Sequence, residues 1–344
     1  MLFAQLNNDQ SREMINARQR YQAWREAAAR QRGYRGSMVW AQVNGAEYLV
    51  RSYYDENNKR RQKSLGRRDA GSEAIKAAFD LERQNAETSR KRLDESLDRQ
   101  AAVNRALGLN RVPWIAAAAL RLLDKRGLLG AGIRVAGTNA LFAYEAACGV
   151  QFDAEITATS DIDLLFDARR RLFLIGDADF ETRNLIDLLK LADRSFRRAE
   201  RTYAAVNDDG YIVELIKPQR TPPWVNDRPA IGDADDLQAA EIESLVWLEN
   251  APAFEQPAID QRGYPVRIVA PDPRVFAIHK HWLSKRPNRD GTKRQRDFQQ
   301  AMAVATLVKT QLQHLPFDPA ELRMLPKAVV DEALEAFSAA KTEG

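Results

Sequence analysis

"ATSDIDLLFD", residues 158–167, reads as a buried strand that carries two carboxylates near its start. Ile162, Leu164, Leu165 and Phe166 supply apolar bulk, while Asp161 and Asp163 stand two residues apart. Strand side chains alternate between faces, so the two acids share one face and Ile162 and Leu164 take the other. Carboxylates held that close repel one another unless a positive charge lies between them. A divalent ion meets that need, because Mg²⁺ takes oxygen ligands and is commonly held by one or two carboxylates plus substrate phosphates. The alternative is the end of a surface strand with two solvated acids.

Upstream, "IRVAG" reads as a short strand and "TNALFAYEAACG" as a helix closed by Gly149, joined directly through Gly137-Thr138. The glycine lets a ligand approach the backbone, the Thr138 hydroxyl can donate to an anion, and a helix start presents N–H groups without intrahelical partners. This junction is a candidate phosphate cradle; the alternative is an ordinary capped helix after a tight turn. Downstream, in "DDGYIVELIKP" (208–218), Asp208, Asp209 and Gly210 signal a hairpin turn, and Glu214 is the one charge within the following strand. A lone glutamate among Ile212, Val213, Leu215 and Ile216 is costly if buried without a partner. Beside Asp161 and Asp163 in one sheet it completes a three-carboxylate cluster; at an exposed sheet edge it does nothing specific.

A Gly-Thr at a strand-to-helix junction, "SDID" on the next strand and a single acid on a later one together resemble the nucleotidyltransferase fold of the DNA polymerase β superfamily. "VAGTNALFAYEAACGV…TSDIDLLFD" is most similar to bacterial nucleotidyltransferase-fold proteins of largely unassigned substrate, and more distantly resembles nucleotidyltransferase toxins. The likeness covers roughly residues 112–310. It departs from the compact motif in the 22 residues between Thr138 and Asp161, so "AEITAT" has to loop back. The resemblance implies a mixed α/β (α+β) sheet with helices, and transfer of a nucleoside monophosphate from an NTP to an acceptor with release of pyrophosphate. In a two-metal mechanism, bridging carboxylates hold ions ~3.5–4 Å apart. Asp161, Asp163 and Glu214 are then the expected catalytic and Mg²⁺ (or Mn²⁺) ligands, with Gly137 and Thr138 on the β/γ-phosphates.

Triphosphate chemistry also needs fixed cations, and the segment from Arg274 to Arg296 holds eight Lys or Arg and two His. It reads as helix, break at Pro287 to Gly291, and helix. By similarity to the helical unit of the toxin-like relatives, Lys280 and Lys293 are the expected nucleotide-binding lysines, with Arg286 behind them. Lys293 also stands four residues before Asp297, the spacing of an ion pair along a helix. His279 and His281 flank Lys280 but point in different directions, so they do not form a shared metal site, and Trp282 reads as core. "KPQRTPPWVNDRP" (217–229) is a connecting loop in which Trp224 could alternatively stack on a base. Leu322, Leu325, Val329 and Phe337 of the helical tail cover core.

The rest of the chain frames this centre. Met14, Ala17, Tyr21, Trp24 and Ala28 form a narrow helical stripe that needs a partner. "MVWAQVNGAEYLVRSYYDENNKRRQKSLG" alternates around "NG" and "DENN" turns as a small antiparallel unit, and a very polar helix follows from about Gly71 to Leu107. The expected organisation is 1–111, a helix and β-hairpin unit; 112–235, the nucleotidyltransferase domain; and 236–344, a mostly helical unit. A chain of 344 residues, 44% hydrophobic and 29% charged, is of ordinary globular composition. No run approaches the ~20 apolar residues of a membrane span. The single Cys148 and the lack of a signal-like start point to the cytoplasm and away from disulfides or a cysteine-based zinc site. A net charge of +4 does not by itself mark a nucleic-acid binder, but "KRRQKSLGRR" (59–68) puts six basic residues in ten. It faces either solvent or a phosphate backbone. The acceptor is therefore open between tRNA or another RNA, a protein and a small molecule. Non-catalytic nucleic-acid binding and partner binding on the same scaffold, including oligomerisation through the N-terminal helices, are the competing readings.

Overall fold

The computed structural model describes residues 2–55, 59–169, 184–221, 229–232 and 235–339. The chain opens with β1 (Phe3–Gln5) and the long helix α1 (Asn8–Gly33), which starts on a reciprocal capping box between Asn7 and Gln10. Three strands follow, β2 (Ser37–Val43), β3 (Ala46–Tyr54) and β4 (Arg60–Arg67), paired antiparallel in that order. Asn44 and Gly45, both at positive φ, form the β2–β3 turn, as the "NG" signal implies. Helix α2 (Ala70–Ala106) then runs 37 residues from its Asp69 cap. Its polar length is mostly exposed, with Ala86, Leu97 and Ala101 among the few buried positions. The stripe of α1 is covered from within the chain: α2 packs along α1, and Met14 and Ala17 cluster with Leu109 and Ile259. Its last buried residue is Ala27, and Ala28 is only half-buried.

The chain continues with α3 (Trp114–Lys125), which starts just after Pro113, and β5 (Ile133–Ala136). A single 3₁₀ turn (Thr138–Ala140) leads into α4 (Leu141–Cys148), closed by Gly149 in the left-handed conformation. Next come β6 (Val150–Phe152), α5 (Ala154–Thr157), β7 (Asp161–Phe166) and α6 (Leu185–Ala192). Strands β8 (Arg197–Arg198), β9 (Ala204–Val206), β10 (Ile212–Pro218) and β11 (Ala240–Ile242) precede α7 (Leu245–Asn250). The hairpin β12 (Ala253–Ile259) and β13 (Pro265–Pro271) leads to α8 (Pro273–Ser284), α9 (Gly291–Gln311) and α10 (Lys327–Ala339).

The central sheet is mixed, in the order β5-β7-β10-β9-β8, with β11 alongside the far end of β10. β7 and β10 are parallel, while β5 is antiparallel to β7 and β9 antiparallel to β10. α3, α4, α8 and α9 contribute fully buried residues to one core that also takes Ile162 and Leu164 of β7. That core runs without interruption from Val112 to Phe337, and Leu322, Leu325 and Phe337 lie in it as the tail's pattern implies. β1 pairs with β6, which ties the N-terminus to this body. Among the described residues no helix is long and apolar enough to cross a membrane.

Candidate active site

β7 behaves as its sequence implies: Ile162 and Leu164 are fully buried, while Asp161 and Asp163 on the other face are only partly so. The sheet register supplies the third acid. Glu214 of β10 lies directly beside Asp163, and Ile212 beside Asp161, so the three acids are neighbours on adjoining strands. On the other side Ala136, the last residue of β5, pairs with Asp163, and the chain then turns at Gly137 with φ 59° and ψ −153°. A Cβ on Gly137 would fall 1.8 Å from Asp163 Oδ2. Only glycine both adopts this backbone and leaves room for the carboxylate.

The segment between Thr138 and Asp161 does loop back. Asn139 Nδ2 donates to the Asp161 carbonyl at 2.7 Å, and the Tyr211 hydroxyl donates to the same oxygen at 3.1 Å. Thr138 is buried, and its Oγ1 accepts from Gln300 Nε2 at 3.2 Å, which leaves the hydroxyl hydrogen available to another acceptor. Gln300 also donates to the Ile156 carbonyl at 2.7 Å and so pins α9 against the junction. The Asn139 Oδ1 and Gln300 Oε1 atoms are buried without a hydrogen-bond partner.

The carboxylates sense one another. Burial, then the charges of Asp161 and Glu214, push Asp163 up to about 6, against the opposing pull of Lys280 and Arg289. Burial and Asp161 likewise raise Glu214, which Arg201 and Lys293 pull back. The Arg201 guanidinium stands 4.0 Å from Glu214 Oε1. The three acids therefore repel one another while four cations, Lys280, Arg289, Arg201 and Lys293, act on them from outside. The three side chains are not gathered around one point: the Thr159 hydroxyl donates to Asp161 Oδ1, and Glu214 faces Arg201. Accordingly, among the described residues no group of three or more His, Cys, Asp or Glu is arranged to hold a metal ion. The all-oxygen donor set and the raised Asp163 nevertheless suit a hard divalent cation, which would relieve the repulsion that holds the proton there.

The helical residues divide. Lys280 is buried on α8, where its Nζ donates to Asp297 Oδ1 at 2.7 Å, and Arg289 Nε donates to Asp297 Oδ2 at 2.8 Å. Burial raises Asp297, but Lys280 and Arg289 outweigh it and hold the carboxyl below its usual range. The expected Lys293–Asp297 pair along the helix is not formed, because Asp297 faces α8 instead. Lys293 is exposed at the start of α9, where its backbone N–H meets the Asp290 cap, and its charge reaches Glu214. Arg286 lies over the Trp282 ring at 4.7 Å and 3.5 Å from Glu243. His279 and His281 do diverge: Nε2 of His279 meets Ser244 Oγ at 2.9 Å, whereas His281 packs on Phe298 and Phe337. Trp224 lies outside the described residues. Asn139, Tyr211, Gln300 and Arg289 carry no local signal in the sequence; Gln300 follows Gln299 at the end of the polar half of α9.

A mixed sheet bearing an acid pair on one strand, a third acid on the parallel neighbour and a glycine turn against the pair is the nucleotidyltransferase arrangement. The sequence model of the nucleotidyltransferase family matches residues 115–326, and the chain belongs to that family, whose members transfer nucleotidyl groups. Neither a curated protein nor a solved structure matches the chain.

Proposed function

We propose that this protein transfers a nucleoside monophosphate from an NTP to a hydroxyl of an RNA end. An acceptor oxygen attacks the α-phosphorus, the new P–O bond forms as the bond to the β-phosphate oxygen breaks, and pyrophosphate leaves with that electron pair. Asp161, Asp163 and Glu214 would hold the divalent cations, Mg²⁺ or Mn²⁺, which supply charge neutralisation and activation of the attacking oxygen. Glu214, with its raised pKa, is suited to take the acceptor's proton. Gly137 brings backbone close to the phosphates, and the Thr138 hydroxyl, held by Gln300, is aimed by that bond rather than free to rotate. Lys280 and Arg289, fixed by Asp297, supply positive potential behind the acids, and exposed Lys293 and Arg201 can contact the triphosphate directly. Positioning and charge stabilisation of this kind account for most phosphoryl-transfer catalysis.

The observation that carries the reading is the β7–β10 register, which sets Glu214 beside Asp163 within a nucleotidyltransferase-family core. The test is incubation with each α-labelled NTP, Mg²⁺ and total or transfer RNA. Label transferred to RNA, and lost in Asp161→Asn/Asp163→Asn, supports the proposal; label transferred only to protein or a small molecule overturns the RNA acceptor. No transfer with any NTP and acceptor overturns the activity.

A further inference from the structure

Besides the basic segment beside the acids, a second concentration of positive charge lies near the N-terminus. Residues 30–68 carry ten Lys or Arg against three acids, Glu47, Asp55 and Glu56, an excess of seven in a chain whose formal net charge is only +4. The described residues of this stretch form the end of α1 and the β2–β3–β4 sheet. Some of the charge is internally used: Arg61 pairs with Asp55, Arg68 with Glu47 and Glu73, Arg51 stacks on Phe79 of α2, and Arg60 Nε donates to the buried Ser52 hydroxyl at 2.7 Å, which holds its guanidinium over the β3 strand. The register separates the two faces. Leu49 and Met38, buried, and Arg51 face α2, whereas Val39, Val50, Tyr48 and Tyr54 belong to the other face. Arg60 is the partner of Tyr54 and Arg67 the partner of Tyr48, so both arginines share that outer face. Val39 and Val43 there are 47% and 51% exposed. Arg35 rests 4.1 Å over the Tyr54 ring.

Arginines interleaved with tyrosines and uncovered apolar side chains are the chemistry of a surface that meets phosphates and unpaired bases together. We infer that the outer face of the β2–β3–β4 sheet binds RNA through unpaired nucleotides, with Arg60 and Arg67 on phosphates and Tyr48 presenting a stacking surface. α2 meets the sheet near Phe79 and the body that carries the acids near Asn104, whose Nδ2 donates to the Gly263 carbonyl at 2.7 Å, and α1 reaches the same body at Arg25, 3.4 Å from Glu255. That an RNA held here is also the acceptor rests on the proposed transferase activity; the binding face itself does not.

The experiment is fluorescence anisotropy of a labelled single-stranded RNA 20-mer with the full chain, against DNA of the same sequence and the RNA duplex, from low to moderate salt. We expect salt-dependent RNA binding, weakened at least tenfold in Arg60→Gln/Arg67→Gln, with a salt slope lower by about 1.4, as two single-strand phosphate contacts require. Hydrogen exchange on the unsubstituted protein should show RNA protecting amides of residues 37–67. Arg60→Gln/Arg67→Gln should leave Mg²⁺-dependent NTP binding unchanged, which separates this claim from the catalytic one. Unaltered affinity in the arginine variant, tighter binding to DNA or duplex, or no protection in the sheet overturns the inference.

Discussion

Gly137 and Asp163 stand so close that a methyl group on the first would lie 1.8 Å from a carboxylate oxygen of the second. The turn ending β5 and the acid of β7 are thus one fitted unit. A side chain at 137 would have to displace either the turn or the Asp163 carboxylate.

Gly137→Ala is therefore expected to cost at least about 2 kcal/mol of stability, combining strain at positive φ with overpacking. Thermal melting reads the loss, and NTP binding should fall with it. A variant as stable as the parent would mean that the turn relaxes freely.

Asp163 titrates against the fold. Its folded pKa of about 6 lies above the unfolded value, so the native state holds a proton that the unfolded state gives up. The associated stability is present at low pH and is lost as pH rises through about 6. Asp163→Asn should remove that dependence and melt higher than the parent at pH 7.5, by about 1–2 kcal/mol after allowance for partial solvation. On the proposed metal role of Asp163, Mg²⁺ would compete with the proton for this carboxylate, so its stabilising effect on the parent should grow across this pH window.

Asp297 is the hinge of the cation arrangement. Asp297→Asn leaves Lys280 buried without its counter-charge, a change expected to cost about 3–5 kcal/mol. Lys280→Met/Asp297→Leu should recover much of the stability but not nucleotide affinity. Urea unfolding of the two variants beside NTP titration separates support from function.

His279 is buried, and burial followed by the charge of Lys280 holds it down to about 3. Its ring resonances should not titrate between pH 5 and 8. Because the unfolded histidine takes a proton near pH 6.5, this residue withdraws stability as pH falls below that value, opposite in sign to Asp163.

What the sequence made legible was whatever depends on local pattern. The alternation in β7, the "NG" turn, the Gly149 cap and the hairpin at Gly210 each follow from a few adjacent residues. The acid cluster was half legible, since Asp161 and Asp163 share a face by parity alone. Glu214 needed a parallel pairing across some fifty residues, which no local signal specifies. Asp297 shows the limit most clearly. Four-residue spacing suggested Lys293 as its partner, but the packing of α8 on α9 turned it inward to Lys280 and Arg289, where a buried acid gains most from two fixed cations.

The most direct test is calorimetric titration of the four NTPs with Mg²⁺ into the parent chain and into Asp161→Asn/Asp163→Asn. The account predicts Mg²⁺-dependent binding of at least one NTP in the parent and its loss in the variant, with the variant's fold intact by circular dichroism. Binding that survives in the variant, or no NTP binding by the parent, would contradict the assignment of these acids as the nucleotide site.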